Sequence, residues 1–267
     1  MSYTVVSTFH RQGYNQYGSR MIDTFLQNWP KEIELWVYAE NCQVAQQAPN
    51  LKVFDLNQAS PELCEFKRTW QNVPKATGWC ADSTQKHNDK TQKVGFKWDA
   101  VRFSHKVYSI FAAARNCNTD WLLWMDADMI CHSTMPVPFL DQMCPADRDI
   151  CFLGRRGKYT ECGLYALNLR SQRTQDFLNK FQHYYDNAEQ GIFTLSEWHD
   201  SFVFDAVRQT LPLQNLDWSS HIVSGEGHPL INSPWGAYLD HLKGDRKQLG
   251  RSKAKDLKVA RQESYWQ

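Results

Sequence analysis

Asp126 and Asp128 stand one residue apart, directly after the apolar run Trp121–Met125 (WLLWM). Side chains at i and i+2 of extended chain share one face, so the two carboxylates converge. Like charges held together repel, and a hard divalent cation relieves the repulsion. An acidic loop capping the next segment would use the same letters. The strand in front of the pair favours the metal, because ligands of open α/β sheets bind beyond the carboxyl ends of strands. A second group lies far downstream, with His241, Gly244 and Lys247 spaced three apart. An imidazole can ligate a metal, a glycine lets backbone approach a ligand closely, and a lysine offers a point charge to phosphate oxygens. Alone this group reads better as a solvated basic turn with a surface histidine. With Asp126 and Asp128 it describes a site for a metal-chelated diphosphate.

Elements that would carry these residues follow from periodicity. Tyr3–Phe9 (YTVVSTF) is a β-branched run expected as a buried first strand. His10–Tyr17 is expected as a polar, glycine-containing loop, and Ser19–Trp29 as a helix stopped by Pro30. Ile33–Ala39 and Leu51–Leu56 read as the next strands, and strands alternating with a helix imply βαβ units and a parallel sheet. Asn57–Trp98, with its polar centre Asp82–Lys93, breaks the rhythm and is expected as an exposed insertion. Phe96–Ala114 reads as a helix, Trp121–Met125 as a central strand covered on both faces, Ile150–Leu153 and Gly163–Asn168 as strands, and Thr174–Tyr185 and His199–Gln209 as helices.

The composition sets bounds. The 267 residues are 42% hydrophobic and 22% charged, which excludes a disordered or fibrous chain. A formal net charge of +1 gives no global field toward nucleic acid or membrane. No apolar stretch is long enough to span a bilayer, and Met1–Ser2–Tyr3–Thr4 lacks the layout of a signal peptide. Eight scattered cysteines without a CxxC pair read as reduced thiols, so a cytoplasmic location is expected. A single domain over 1–267 is expected, with the insertion at about 57–98 and a basic tail at 242–267.

Asp-x-Asp after a hydrophobic strand, with a late His-x-x-Gly-x-x-Lys, resembles the GT-A glycosyltransferases, in particular the retaining glycogenin- and galactosyltransferase-like family. That family's late motif reads His-Phe-x-Gly-x-x-Lys-Pro-Trp. Here Leu242 stands in place of Phe, and Gln248 and Leu249 in place of Pro and Trp, as in a divergent relative. The resemblance implies an α/β, GT-A (Rossmann-like) fold with a mixed, mostly parallel sheet flanked by helices. It implies that Asp126, Asp128 and His241 ligate a divalent ion, Mn²⁺ or Mg²⁺, which bridges the phosphates of a nucleoside diphosphate sugar, a UDP-sugar by analogy. Gly244 and Lys247 would hold the same diphosphate, with Ala127 between the carboxylates. Thr8, Phe9 and His10 would contact base and ribose, and Arg102 and Lys106, one helical turn apart, would lie near the nucleotide unless they are a solvated helix surface. Gly163, in Glu161–Asn168, would lie beside the donor sugar. Asp200, in Trp198–Ser201, either faces that sugar as a catalytic carboxylate or caps the following helix. Glu226, His228 and Trp235 would reach the acceptor pocket, although Trp235 reads better as core.

The reaction so implied is glycosyl transfer to a hydroxyl with retained anomeric configuration. The acceptor is a saccharide or, alternatively, a hydroxylated base in DNA, as in bacteriophage enzymes that decorate their own DNA. Leu242–Arg261 carries eight Lys/Arg against Asp245 and Asp256, a net +6, and this tail either grips a nucleic-acid backbone or is a solvated helix, Ser252–Gln262. Two other classes use similar parts. A nucleotidyltransferase would show a glycine-rich basic loop after the first strand, and His10–Gly13 is thin for that. A non-catalytic sugar-nucleotide-binding protein would not need all three metal ligands.

Overall fold

The computed structural model describes residues 1–78, 95–222 and 227–267. Its strands are β1 (Tyr3–His10), β2 (Glu34–Glu40), β3 (Leu51–Asp55), β4 (Trp121–Met125), β5 (Met129–Cys131), β6 (Ile150–Arg155), β7 (Lys158–Asn168), β8 (Asn215–Asp217) and β9 (Leu239–His241). Alternate residues of a strand point to opposite faces. Val5, Leu35, Val37, Leu123, Met125, Leu164 and Ala166 enter one core, and Val6, Trp36, Tyr38, Leu122, Trp124, Tyr165 and Leu167 enter the other. Both faces are therefore covered, as the continuous apolar runs of β1 and β4 require. Truncating one of these, such as Leu123 to Ala, should cost about 2–5 kcal/mol.

Among the described residues seven strands form one sheet in the order β3-β2-β1-β4-β7-β6-β8. β1 pairs parallel with β2 and β4, β2 with β3, and β6 with β8, while β7 runs antiparallel to both β4 and β6. Helices flank this mixed, mostly parallel sheet, which is the α/β class expected from the sequence. A separate pair, β5 and β9, is antiparallel, with Met129 opposite His241.

Three local expectations are corrected. His10–Tyr17 is not a loop: helix Arg11–Gly13, a π-helical turn Tyr14–Gly18 and helix Ser19–Asn28 form one helical run. Its glycines serve close packing rather than turning, since a Cβ at Gly18 would sit 2.8 Å from the Phe9 ring. The strand expected at Gly163–Asn168 begins earlier, at Lys158, in a hairpin with β6. Ser252–Gln262 is not a helix. One 3₁₀ turn, Ala254–Asp256, interrupts irregular chain whose ends are pulled onto the body: Ser252 Oγ donates to buried Asp240 at 2.6 Å, and Arg261 donates to the carbonyls of Ile231 and Ser233.

Of the 57–98 stretch, the described part includes the helix Pro61–Trp70, whose Leu63 and Phe66 are buried. Residues 79–94, which include all of Asp82–Lys93, lie outside the described residues, so that part of the expected insertion does too. The described cysteines are all free, and no described helix is long and apolar enough to cross a membrane.

Candidate active site

β4 ends at Met125, and Asp126 follows on the face of Trp124, whose indole N–H donates to Asp126 Oδ1 at 2.7 Å. The backbone N–H of Asp126 donates to the Gly163 carbonyl at 2.8 Å, fixing the turn against β7. The chain then reverses into β5, and the β5–β9 ladder brings in His241 from far along the sequence; Leu242 N donates to the Asp128 carbonyl at 2.9 Å. His241 Nε2 lies 3.0 Å from Asp128 Oδ1 and 3.8 Å from Asp126 Oδ2. Lys247 Nζ lies 3.0 Å from Asp128 Oδ2 and 4.4 Å from the centre of the Tyr17 ring. Gly244, with φ of +61°, adopts the left-handed conformation that favours glycine, and open space surrounds the position of a Cβ.

Helix Ala100–Asn116 contributes from the opposite side. Lys106 is buried, with Nζ 2.9 Å from Asp126 Oδ1 and 2.8 Å from Asp200 Oδ2, and it also donates to the Cys162 carbonyl. It is thus no solvated surface lysine, whereas Arg102 on the same helix is exposed. Asp200 is the first residue of helix Asp200–Arg208 and its carboxylate turns to Lys106; the residue in the capping position is His199. Glu161 on β7 is buried and receives Lys243, with Arg155 at 3.4 Å.

The charges explain one another. Burial raises the Asp126 pKa, more than Lys106 lowers it. Burial opposes ionisation of Asp128 too, but His241 and Lys247 outweigh it and hold that carboxyl low. Burial alone would lower the Lys106 pKa, and the charges of Asp126 and Asp200 reverse the direction. Glu161 is held low against its burial by Lys243, His228 and His241.

Two adjoining cavities share these groups. One of about 280 Å³ is lined by Thr8, Phe9, His10, Tyr17, Glu40, Arg102, Lys106, Asp126, Ala127, Asp128 and Lys247. The other, about 470 Å³, shares Arg102, Lys106, Asp126, Asp128 and Lys247 and adds Arg155, Lys158, Tyr159, Glu161, Gly163, Asp200, His241, Lys243 and Gly244. Every residue proposed from sequence as a nucleotide, sugar or metal contact lines one or both. A larger groove of about 830 Å³ beside Pro61–Trp70 is lined by Glu62, Glu65, Asp186 and Glu189 and, among the described residues, by no cation.

The proposed acceptor residues fare differently. Trp235 is fully buried, T-shaped against Trp218 and Phe139, and is core. His228 faces Glu161, its Nε2 4.0 Å from Oε2. Glu226 lies outside the described residues. Tyr17, Glu40, Lys158 and Lys243 were not foreseen. Tyr17 was hidden by the reading of its helical turn as a loop, and the others belong to no recognisable spacing.

Asp126, Asp128 and His241 present ligand atoms within 4.8 Å of one another. Mixed carboxylate and imidazole donors suit Mn²⁺ or Mg²⁺, and His241 Nε2 is the nitrogen turned to the carboxylates, so the donor set fits a divalent ion. Glu161, His228 and His241 lie equally close. That trio fits less well, because His228 Nδ1 accepts from Leu230 N at 3.2 Å. The accepting nitrogen has no proton, so in the neutral ring Nε2 carries it and is a donor, not a ligand.

No model of a known protein family matches the sequence, and no curated protein matches it. Solved structures similar to it include a glycosyltransferase involved in the glycosylation of the major capsid of PBCV-1, at 11% identity over 93% of this chain and 100% of that one, with a TM-score of 0.49. The bifunctional glycosyltransferase WbbM in its apo form is 10% identical over 82% of this chain, which spans only 39% of WbbM, with a TM-score of 0.48. The galactosyltransferase LgtC in complex with donor and acceptor sugar analogs is 10% identical over 81% of this chain and 73% of that one, with a TM-score of 0.45.

Proposed function

We propose that the chain is a metal-dependent glycosyltransferase of GT-A type that moves a sugar from a nucleoside diphosphate sugar, a UDP-sugar by the sequence resemblance, to a hydroxyl acceptor. The observation that carries this reading is the meeting of Asp126, Asp128, His241 and Lys247 at the carboxyl end of β4, between two connected cavities. Asp126, Asp128 and His241 would hold Mn²⁺ or Mg²⁺, and such an ion stabilises the charge that gathers on a departing diphosphate.

The chain's own groups supply the rest. Lys247, the cation at Asp128, is placed to meet phosphate oxygens, and the left-handed Gly244 leaves room for them. Thr8, Phe9 and His10, at the end of β1, wall the smaller cavity and would receive the base and ribose. Asp200, held by Lys106, lines the larger cavity together with Gly163, and the sugar would lie there. In the reaction the bond from the anomeric carbon to the diphosphate oxygen breaks, and its electrons leave with the diphosphate. A bond to the acceptor oxygen forms on the same face, and the acceptor proton passes to the departing phosphate. Retention by that route needs no covalent enzyme intermediate.

A panel of nucleotide sugars in a thermal-shift assay, with and without Mn²⁺, tests the reading, because a ligand of the native state raises its stability. Stabilisation by one nucleotide sugar only with the ion is the expected result. An equal shift in chelator would remove the metal, and no shift with any nucleotide sugar would remove the activity.

A further inference from the structure

His241 has two ring nitrogens, and the metal site uses one of them. Nε2 faces Asp126 and Asp128, at 3.8 and 3.0 Å. A nitrogen that ligates an ion offers its lone pair, so in the neutral ring the proton sits on Nδ1. Nδ1 is buried and has no hydrogen-bond partner among the described residues. A buried N–H without an acceptor is costly. The group on that side is the carboxylate of Glu161, whose Oε1 lies 4.0 Å from Nδ1. In the other tautomer a bare lone pair would face this anion, so the surroundings favour the proton on Nδ1.

Glu161 is itself held by the elements that flank His241. It is buried on β7 and receives Lys243, which follows His241 by two residues. It also accepts from the N–H of Gly163 at 3.3 Å, and Gly163 packs on the His241 ring so closely that a Cβ there would fall 2.5 Å from Cε1. Arg155 stands 3.4 Å away. These three take at most three of the roughly four acceptor sites of a carboxylate. His228 presents a second proton to the same group. Its ring is T-shaped against His241, with centres 5.0 Å apart, and its buried, unpartnered Nε2 lies 4.0 Å from Glu161 Oε2. Both gaps exceed hydrogen-bond reach by about 1 Å, a distance that side-chain rotation closes.

We propose that Glu161 is a positioning residue, which accepts the Nδ1 proton of His241 and so keeps the Nε2 lone pair turned to the ion. This rests on the metal-dependent reading above and adds the layer behind its imidazole ligand. A carboxylate behind a ligating histidine fixes the tautomer and the ring orientation and makes the nitrogen more basic. A second ion among Glu161, His228 and His241 is disfavoured. His228 Nε2 offers a proton, since Nδ1 accepts from Leu230 N, and the lone pair of His241 is committed to the other side. Lys243 and Arg155 already bring positive charge to Glu161, and an ion there would be repelled by both.

Two measurements on the whole chain test the proposal. The paramagnetic resonance of unbound Mn²⁺ gives affinity and stoichiometry, and one ion per chain is expected. Glu161→Gln should weaken binding about tenfold or more, because its amide can donate to Nδ1 and drive the ring into the other tautomer. Lys243→Met, which removes the ion pair but keeps the carboxylate, should not weaken it. Unchanged affinity in Glu161→Gln, or equal losses in the two variants, overturns the proposal and leaves Glu161 a partner in a structural ion pair. Two ions per chain overturn it as well and assign the trio to a second metal. Nitrogen-15 NMR of the wild type with Mg²⁺, a diamagnetic ion, reads the ring itself and holds even where a variant fails to fold. The imidazole whose Nε2 signal moves on adding Mg²⁺ should carry a downfield, hydrogen-bonded proton on Nδ1. An Nδ1 proton that exchanges as freely as in a solvated ring, or a ring that binds Mg²⁺ through Nδ1, overturns the proposal. A wild type that binds neither ion, with or without UDP, would be recognised separately, as failure of the metal-dependent reading itself.

Discussion

Lys106 Nζ lies 2.9 Å from Asp126 and 2.8 Å from Asp200, so one buried ammonium ties the end of β4 to the start of helix Asp200–Arg208. Removing it would take away the counter-charge that Asp126 and Asp200 share. Breaking a buried ion pair by deleting one partner costs about 3–5 kcal/mol. Lys106→Met, which keeps the unbranched chain but lacks the terminal ammonium, should lose that much in urea unfolding. A loss under about 1 kcal/mol would mean that solvent screens the trio and that Lys106 does not organise the site.

Asp126→Ala and Asp128→Ala should abolish transfer and Mn²⁺ binding while changing stability much less than Lys106→Met. In each variant a lysine partner remains near another acceptor or near water: Lys106 keeps Asp200, and Lys247 is partly exposed. The signal of unbound Mn²⁺ in electron paramagnetic resonance reads metal binding without relying on turnover. Near-normal turnover in chelator by either variant would remove the ion from the mechanism.

Gly163 and Gly244 should respond to alanine in opposite ways. A Cβ at Gly163 would fall 2.5 Å from His241 Cε1 and 2.8 Å from Nδ1, and the ring would have to move. Gly163→Ala is therefore expected to weaken Mn²⁺ binding about tenfold or more, as loss of an oriented imidazole does. At Gly244 the space is open but φ is +61°. Gly244→Ala should cost about 1 kcal/mol of stability from backbone strain and leave Mn²⁺ affinity near the wild type. Equal effects of the two on Mn²⁺ affinity would contradict this account of His241.

What could be read from the sequence depended on whether local and long-range physics agreed. β1 and β4 were legible because strands buried on both faces are apolar throughout, and Asp126 and Asp128 because a short acidic pair follows directly. The helical run from Arg11 was not, because Gly13 and Gly18 look like turn residues, and only the Phe9 and Tyr17 rings show that small side chains are needed there. The tail was not legible either: its charged residues have helical spacing, whereas Asp240 and the Ile231 and Ser233 carbonyls hold it in irregular chain. The Lys243–Glu161 and Lys106–Asp200 pairs join residues from distant segments, and no spacing rule links them.

Glu40 offers a pH test away from the metal ligands. It ends β2 and receives His105 Nε2 at 3.1 Å and the Lys67 ammonium. The bond to His105, with Lys67 adding to it against the effect of burial, lowers its pKa to about 2. A carboxyl whose folded pKa lies below its unfolded value stabilises the fold fully above the unfolded value, and loses that contribution as pH falls through the folded one. The window here runs from the ordinary glutamate value of 4.5 down to about 2. One unit is worth about 1.36 kcal/mol, so the contribution is at most about 3 kcal/mol. Glu40→Gln should reduce stability at about pH 6 and narrow its gap to the wild type at about pH 3, where the wild-type carboxylate is losing its advantage. Urea midpoints at the two pH values measure this. A gap that stays constant between them would show that Glu40 contributes through packing or neutral hydrogen bonds and not through its charge.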